Sequence, residues 1–404
     1  MTDRKGSCNM RIYADNAATT KMSKTAVEAM LPWLAEHYGN PSSLHSVGQQ
    51  TAEALADARQ RIADQLGCLP REITFTSGGS EADNQAILSA ARLGQRKNKK
   101  HIISTAFEHH AVLHTLKALE KEGFEVTLLD VGEKGLVTAE QVKAAIRPDT
   151  CLVTIMFVNN EVGTIQPIAE IGAVCREAGV LFHTDAVQAV GHIPVNVTEQ
   201  NIDMLSLSAH KFHGPKGVGV LYAKKGIALQ NVIHGGGQER GKRAGTENIP
   251  AIVSMAAALE EACAKLPEHT AHVTALRNRL MEGLSAIPHS ALNGDAVSRA
   301  PGNVNFCFEG IEGESMLLLL DDKGVCASSG SACTSGSLDP SHVLLALGRP
   351  HEVAHGSLRL SLSHENTMEE VEYMIEAVAD VVSYLRSISP MWRDLETGKK
   401  PHIL

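Results

Sequence analysis

Short apolar runs alternate with helical repeats through the first two thirds of the chain. Residues 73–76, 102–104, 126–129, 152–158 and 180–183 are rich in Ile, Val, Leu and Phe, and each is bounded by polar or glycine-containing segments. Runs of that length and composition predict strands. Between them the apolar positions recur at helical spacing. Leu55, Ala58, Ile62 and Leu66 form one series, ended by Gly67; others pass through Ala86, Ile87 and Ala90 and from Val112 to Leu119. An order of strand, helix, strand predicts an α/β fold with a mainly parallel sheet. Residues 152–158 read as one continuous buried strand delivering Asn159, Asn160 and Glu161 at its carboxyl edge. A helical pattern around Val27, Met30, Leu31 and Leu34 lies between the polar, turn-rich segments 13–20 and 39–45.

The rhythm stops at Pro250, where two helical patterns run either side of Pro267. A smaller α+β part follows. It should hold a strand at Val304, Phe306 and Phe308, a helix over 315–320, a short strand over 325–327 and an alternating strand over 357–362. A final amphipathic helix runs through Met374, Val378, Val381 and Leu385, with Thr367 and Glu370 as its capping box. The expected domains are 19–262 (large) and 1–18 with 263–404 (small).

Polar residues gather at the predicted strand ends. The stretch 204–222 reads as strand, tight turn, strand, with Ser206, Ser208, His210 and Lys211 before Gly214 and Pro215. A half-buried lysine keeps some neutral amine, the form that attacks an aldehyde such as pyridoxal 5′-phosphate (PLP). Ser208 and His210 are hydrogen-bond donors for its phosphate. The strand at 73–76 leads through Ser77, Gly78, Gly79 and Ser80 onto a helix. Ser80 with Asp83 fits a capping box, and the free N–H groups there suit a phosphate. His109, Asn160 and Asp185 fall at further strand ends. A carboxylate beside a pyridine nitrogen keeps it protonated, and Asp185 is the candidate. Taken singly, these are a hairpin lysine, an ordinary capped helix and loop caps. Their recurrence along one sheet outweighs the separate readings.

Composition removes several classes of function. At 404 residues, 43% hydrophobic and 21% charged, the chain is an ordinary globular protein, and its net charge of -9 leaves only the short basic run 96–100. Nucleic acid and membrane are therefore not expected as partners, and a polar start without a signal-like apolar region points to the cytoplasm. Eight scattered cysteines without a C-x-x-C pair argue against a zinc ribbon and a disulfide framework, and no metal site is expected. Gly236 to Lys242 nearly completes a Walker A loop, but Arg243 stands where Ser or Thr should hold magnesium, so that reading is rejected. The Ser/Gly run from Ser328 to Ser337 cannot pack a core and reads as a mobile loop carrying one thiol, Cys333. A linker with an incidental cysteine is the plainer alternative, and a Cys326–Cys333 disulfide the less expected one. Arg359 is a fork for a substrate carboxylate.

These segments together resemble the NifS and IscS type cysteine desulfurases, of PLP fold type I (aspartate aminotransferase-like). The resemblance rests on Asp15 to Thr20, Gly39 to His45, Glu108-His109, Asn159 to Glu161, His183 to Gln188, His210-Lys211 and Ser329 to Ser337. It implies that PLP is linked to Lys211, with Asp185 on the pyridine nitrogen, Gln188 on the ring hydroxyl and His109 stacked on the ring as acid/base. Gly79, Ser80, Ser208 and His210 would hold the phosphate, with Thr246 from the second subunit of a homodimer. Asn160 and Arg359 would hold the substrate carboxylate. Catalysis would turn L-cysteine into L-alanine, leave a persulfide on Cys333 (loop about 327–340) and pass sulfur to a NifU- or IscU-like iron-sulfur scaffold. The segments 239–248 and 313–320 look closer to the NifS branch. Ser80, Cys326 and Ser363-His364 depart from the pattern. A selenocysteine lyase or other PLP β-lyase is the enzymatic alternative, and a PLP-free scaffold the non-enzymatic one.

Overall fold

The computed structural model describes residues 11–329 and 339–404, so Cys333 and most of its Ser/Gly run lie outside the described residues. The chain divides into two compact units. One comprises Thr19–Asn160 and Thr164–Glu268; the other comprises the residues up to Ala18, Glu161–Gly163 and His269–Leu404.

The first unit is built on a seven-stranded sheet. Its order is Ile73–Thr76, Gly219–Ala223, Met204–Ser208, Leu181–Asp185, Thr150–Thr154, His101–Thr105 and Glu125–Leu129. The last five run parallel, while Gly219–Ala223 is antiparallel to both its neighbours. The helix Gly79–Gln95 lies on this sheet through Ala82, Ala86, Ile87, Ala90 and Ala91, packed with Ile102, Leu152, Met204 and Leu221. Small side chains on that face allow close approach. At Gly94 even a Cβ would come within 2.4 Å of the Cys151 Cβ, so the contact is jigsaw-tight.

Three details differ from the expectations for this unit. The helix expected from about residue 53 begins at Ser46, because His45 caps it by accepting the Gly48 N–H at Nδ1; its end at Gly67, in the left-handed conformation, agrees. The run 152–158 leaves the strand after Thr154. The Met156 N–H is drawn onto the Glu108 carboxylate, and the Ile155 and Phe157 N–H groups bond to the carbonyls of His183 and Asp185. Ser80 and Asp83 form no capping box. The helix starts at Gly79 behind Gly78, whose φ of +152° suits glycine, and the back-reaching acid is Glu81, which accepts the Ser77 N–H at 2.8 Å.

In the second unit a three-stranded antiparallel sheet has the order Ser357–Ser361, Asn303–Phe308, Ser290–Leu292. Ile12–Tyr13 pairs in parallel with Val325–Cys326. The core joins Ile12, Leu280, Phe306, Met316, Leu358 and Met374. Met368–Ile388 carries the expected Thr367/Glu370 capping box, but it is not the final helix. Pro390–Glu396 follows, capped by Ser389. The alternating strand Ser357–Ser361 is buried along its whole length, its polar positions included. Among the described residues no helix is long and apolar enough to cross a membrane.

Candidate active site

The parallel strands deliver their last residues to one edge of the first unit. Asp185 ends Leu181–Asp185 and is buried; its Oδ1 accepts the Val187 N–H at 3.0 Å. His109 caps the helix His110–Lys121, accepting the Ala111 N–H at Nδ1 (3.1 Å). One ligating atom each of Asp83, His109 and Asp185 lies within 4.8 Å of the other two. Burial raises the Asp185 pKa, while the charges of His109 and then Lys211 pull it down. A cation on the open side of Asp185 would hold it ionised.

Lys211 is half-buried at the end of the single turn Ala209–Lys211 that follows Met204–Ser208, and its carbonyl oxygen lies 2.8 Å from His192 Nε2. His210 is fixed by Thr19 Oγ1, 3.1 Å from its Nδ1, and through its carbonyl, which accepts both the N–H and the O–H of Thr20. Burial, then the Lys211 and Lys216 charges, push the His210 pKa down to about 4. Near neutral pH it is therefore an uncharged ring with one N–H to offer.

A glycine cradle lies opposite. A Cβ at Gly79 would meet Val187 Cγ2 at 2.6 Å and Ser208 Cβ at 3.8 Å, and one at Gly78 would meet Ser208 Oγ at 3.6 Å. Val187 fills the place of a Gly79 side chain, while the missing side chain at Gly78, before a 17-residue helix and beside the Ser208 hydroxyl, leaves room for an anion facing backbone N–H groups. Anion cradle, buried carboxylate and amine-bearing lysine fit the phosphate, pyridine nitrogen and aldehyde of PLP. Ser80 is exposed in the first turn of that helix, Gln188 and Asn160 are half-buried, and Thr246 is exposed. In the other unit Arg359 is buried, with Nη2 3.0 Å from Asp15 Oδ1, and its backbone bonds both ways with Ser328.

Sequence reading gave no role at the site to three buried groups around this edge. Asp83 has its pKa raised well above the ordinary value, by burial and then by the Asp185 charge. Glu108 is pushed up to about 8 by burial, although the Thr105 hydroxyl and Met156 N–H favour its charged form. His183 is pushed down to about 3 by burial; Thr154 Oγ1 and Ser206 Oγ lie 2.8 and 3.0 Å from its two ring nitrogens. The available signal for Asp83 was its place between Ala82 and Ala86 on the apolar side of a helix.

A parallel sheet with a carboxylate ending one strand, a lysine following the next and a glycine cradle at a helix start is the architecture of a fold type I PLP enzyme. Residues 12–374 match the aminotransferase class-V family model. A cysteine desulfurase IscS from Clostridium botulinum is 53% identical over 395 residues, spanning 97% of this chain and 99% of that protein. One from Methanosarcina thermophila is 53% identical over 383 residues, 95% of each. A solved NifS-like protein superposes with a TM-score of 0.87 at 39% identity, covering 93% of this chain and all of that one. The chain belongs to the class-V aminotransferase family and, within it, to the PLP-dependent cysteine desulfurases of the NifS and IscS type.

Proposed function

We propose that this chain converts L-cysteine to L-alanine and receives the sulfur on Cys333. The observation that carries the reading is the meeting of Asp185, His109 and Lys211 beside the Gly78–Gly79 cradle. PLP bound there supplies an electron sink for charge developing at the substrate Cα. The Gly79 and Ser80 N–H groups, Ser208 and His210 would hold its phosphate, Asp185 would hold the proton on its ring nitrogen, and Gln188 would bond its ring hydroxyl. The Lys211 amine would take the Cα proton of the substrate, and His109 would serve as acid/base. Asn160 and Arg359 orient the substrate carboxylate. The Cys333 thiolate attacks the substrate sulfur: an S–S bond forms as the Cβ–S bond breaks, and that electron pair stays with the carbon fragment, which leaves as alanine after protonation.

The working assembly is a homodimer in the cytoplasm, each subunit lending Thr246 to the phosphate of the other. Sulfur then passes to an iron-sulfur scaffold protein of the NifU or IscU type. The decisive experiment gives the purified enzyme cysteine without reductant and locates the added sulfur by mass spectrometry. One sulfur on the Cys333 peptide, with Cys333→Ser making neither persulfide nor alanine, is the expected result. Sulfur on Cys326, or alanine from Cys333→Ser at the wild-type rate, would move the protein to the β-lyase alternative.

A further inference from the structure

The glycine-rich loop before the helix Ile249–Ala264 is held more firmly than a surface connection requires. In the single turn Glu239–Gly241, Glu239 and Arg240 take φ of +46° and +57°, two consecutive non-glycine residues in the left-handed region. Such backbone is unfavourable for a residue with a Cβ and persists only where surrounding contacts impose it. Those contacts are strong. The Glu239 carboxylate accepts from Arg59 Nη1 and Nη2 at 2.8 and 2.6 Å and from the Phe75 N–H at 3.0 Å. Arg59 also donates to the Ile73 carbonyl at 2.9 Å, and its guanidinium lies over the Phe75 ring, 4.5 Å from the centroid. Both side chains of this forked pair are buried, 7% and 2% exposed.

Further ties follow along the loop. The Lys242 carbonyl accepts from Gln85 Nε2 at 2.7 Å. Arg243 donates through Nε and Nη2 to the two carboxylate oxygens of Glu81, at 3.0 and 3.3 Å. Asn248 Oδ1 accepts the Ala251 N–H and caps the next helix. Glu81 and Gln85 stand on the helix Gly79–Gln95, and Ile73 and Phe75 on the strand that leads to it, so the loop is fastened to the two elements flanking the glycine cradle. Between these fixed points Thr246 is exposed, while Ala244 and Ile249 on either side are buried.

We propose that Glu239 and Arg243 are positioning residues for the neighbouring subunit: by fixing this loop they present the Thr246 hydroxyl, already ordered, to the PLP phosphate of the partner. The inference rests on the reading that Thr246 serves the partner's site. A hydroxyl on a loop that must be ordered at each encounter gives up part of its bond to that ordering, and a pinned one does not. The Arg59–Glu239 and Glu81–Arg243 pairs therefore act on PLP retention in the other subunit, although both stand beside the cradle of their own.

Mixed dimers separate the two directions. One chain carries Lys211→Ala, so PLP that borohydride fixes to the Lys211 peptide reports only on the other chain's site. After dilution of the holoenzyme into PLP-free buffer, the PLP remaining on that peptide is followed with time by mass spectrometry. With Arg243→Gln placed in the Lys211→Ala chain, the other chain's site should lose PLP about tenfold faster than in the dimer carrying Lys211→Ala alone, the worth of one hydrogen bond to a charged group. With Arg243→Gln placed instead in the chain that keeps Lys211, that chain should hold PLP at the control rate, which also shows that it has folded. Glu239→Gln should behave in the same way, and Thr246→Ala in the Lys211→Ala chain sets the reference. Loss that follows the substituted chain's own site, or no loss where Thr246→Ala causes one, would overturn the inference alone. No loss with Thr246→Ala would overturn the reading of Thr246 and the inference with it.

Discussion

At the carboxyl edge of the seven-stranded sheet Asp83, Glu108, Asp185 and His183 are all buried, and burial moves the pKa of each away from its ordinary value. The three-stranded sheet buries polar groups as deeply, yet matches them differently. Arg299, 3% exposed, donates to the carbonyls of Asp295, Asn293 and Asn303. Asn293 donates to Asn305 Oδ1, and Asn305 to the Glu161 carbonyl. Backbone carbonyls carry no net charge that a reaction can draw on, so the second arrangement is scaffold. In the first, mutual proximity of ionisable groups leaves charge to be settled by a ligand, the signature of a working site.

If that contrast is right, substitutions at the first edge should remove activity and leave the fold, and substitutions in the Arg299–Asn293–Asn305 network of the second should do the reverse. The largest effect belongs to Lys211→Ala. Turnover should fall below detection while thermal unfolding stays near wild type, because neither the cradle nor Asp185 depends on the amine. Borohydride should fix PLP to Lys211 in the wild type only; labelling of another lysine would break the comparison at its centre. Asp185→Asn comes next. Loss of the carboxylate that keeps the ring nitrogen protonated should slow turnover by about 10²–10³-fold with PLP still bound, since the phosphate cradle is intact. Near-wild-type turnover would remove Asp185 from this role.

Arg299→Met tests the other sheet. It keeps most of the buried volume but leaves three carbonyls without their donor, at a cost of about 3 kcal/mol. Burial holds the Arg299 pKa down to about 10, but not far enough to discharge it near neutral pH. The expected result is a lower denaturant midpoint with turnover per folded molecule unchanged. A drop in specific activity without loss of stability would mean that this network, too, is part of the working site.

The alternation of strands and helices was legible because burial on both faces demands continuous apolar runs, and the polar residues at strand ends stood out against them. What escaped notice depended on contacts distant in sequence. The strand at 150–154 stops early because Glu108, about 50 residues away, takes the Met156 N–H. The helix Ser46–Leu66 starts early because a histidine caps it, and histidine is not a usual capping residue. Asp83 read as a cap because acids near helix starts usually are; only the fold shows Asp185 beside it. The short helix Pro390–Glu396 was announced by Ser389 and Pro390 but is too brief for a periodic signal.

The smallest effect is a matter of pH, and His183 isolates it. Burial presses its pKa from the usual value of about 6.5 down to about 3. Above pH 6.5 the ring is neutral in both folded and unfolded chains and costs nothing. As pH falls from there toward 3, the unfolded chain binds a proton that the folded one refuses, so stability is lost across that window; by pH 5 the loss is about 2 kcal/mol. Asp83 Oδ1 faces the same ring at 3.6 Å. Its raised pKa acts in the opposite sense, giving stability that is present at low pH and lost as pH rises, so the wild-type curve alone cannot separate the two. His183→Gln removes only the first contribution and keeps polar groups for Thr154 and Ser206. Between pH 7.5 and pH 5 the wild type should lose about 2 kcal/mol more than His183→Gln in urea unfolding. Equal losses would mean that the folded protein accepts a proton on this ring, and that the parallel-sheet edge resolves its buried charge much as the smaller sheet does.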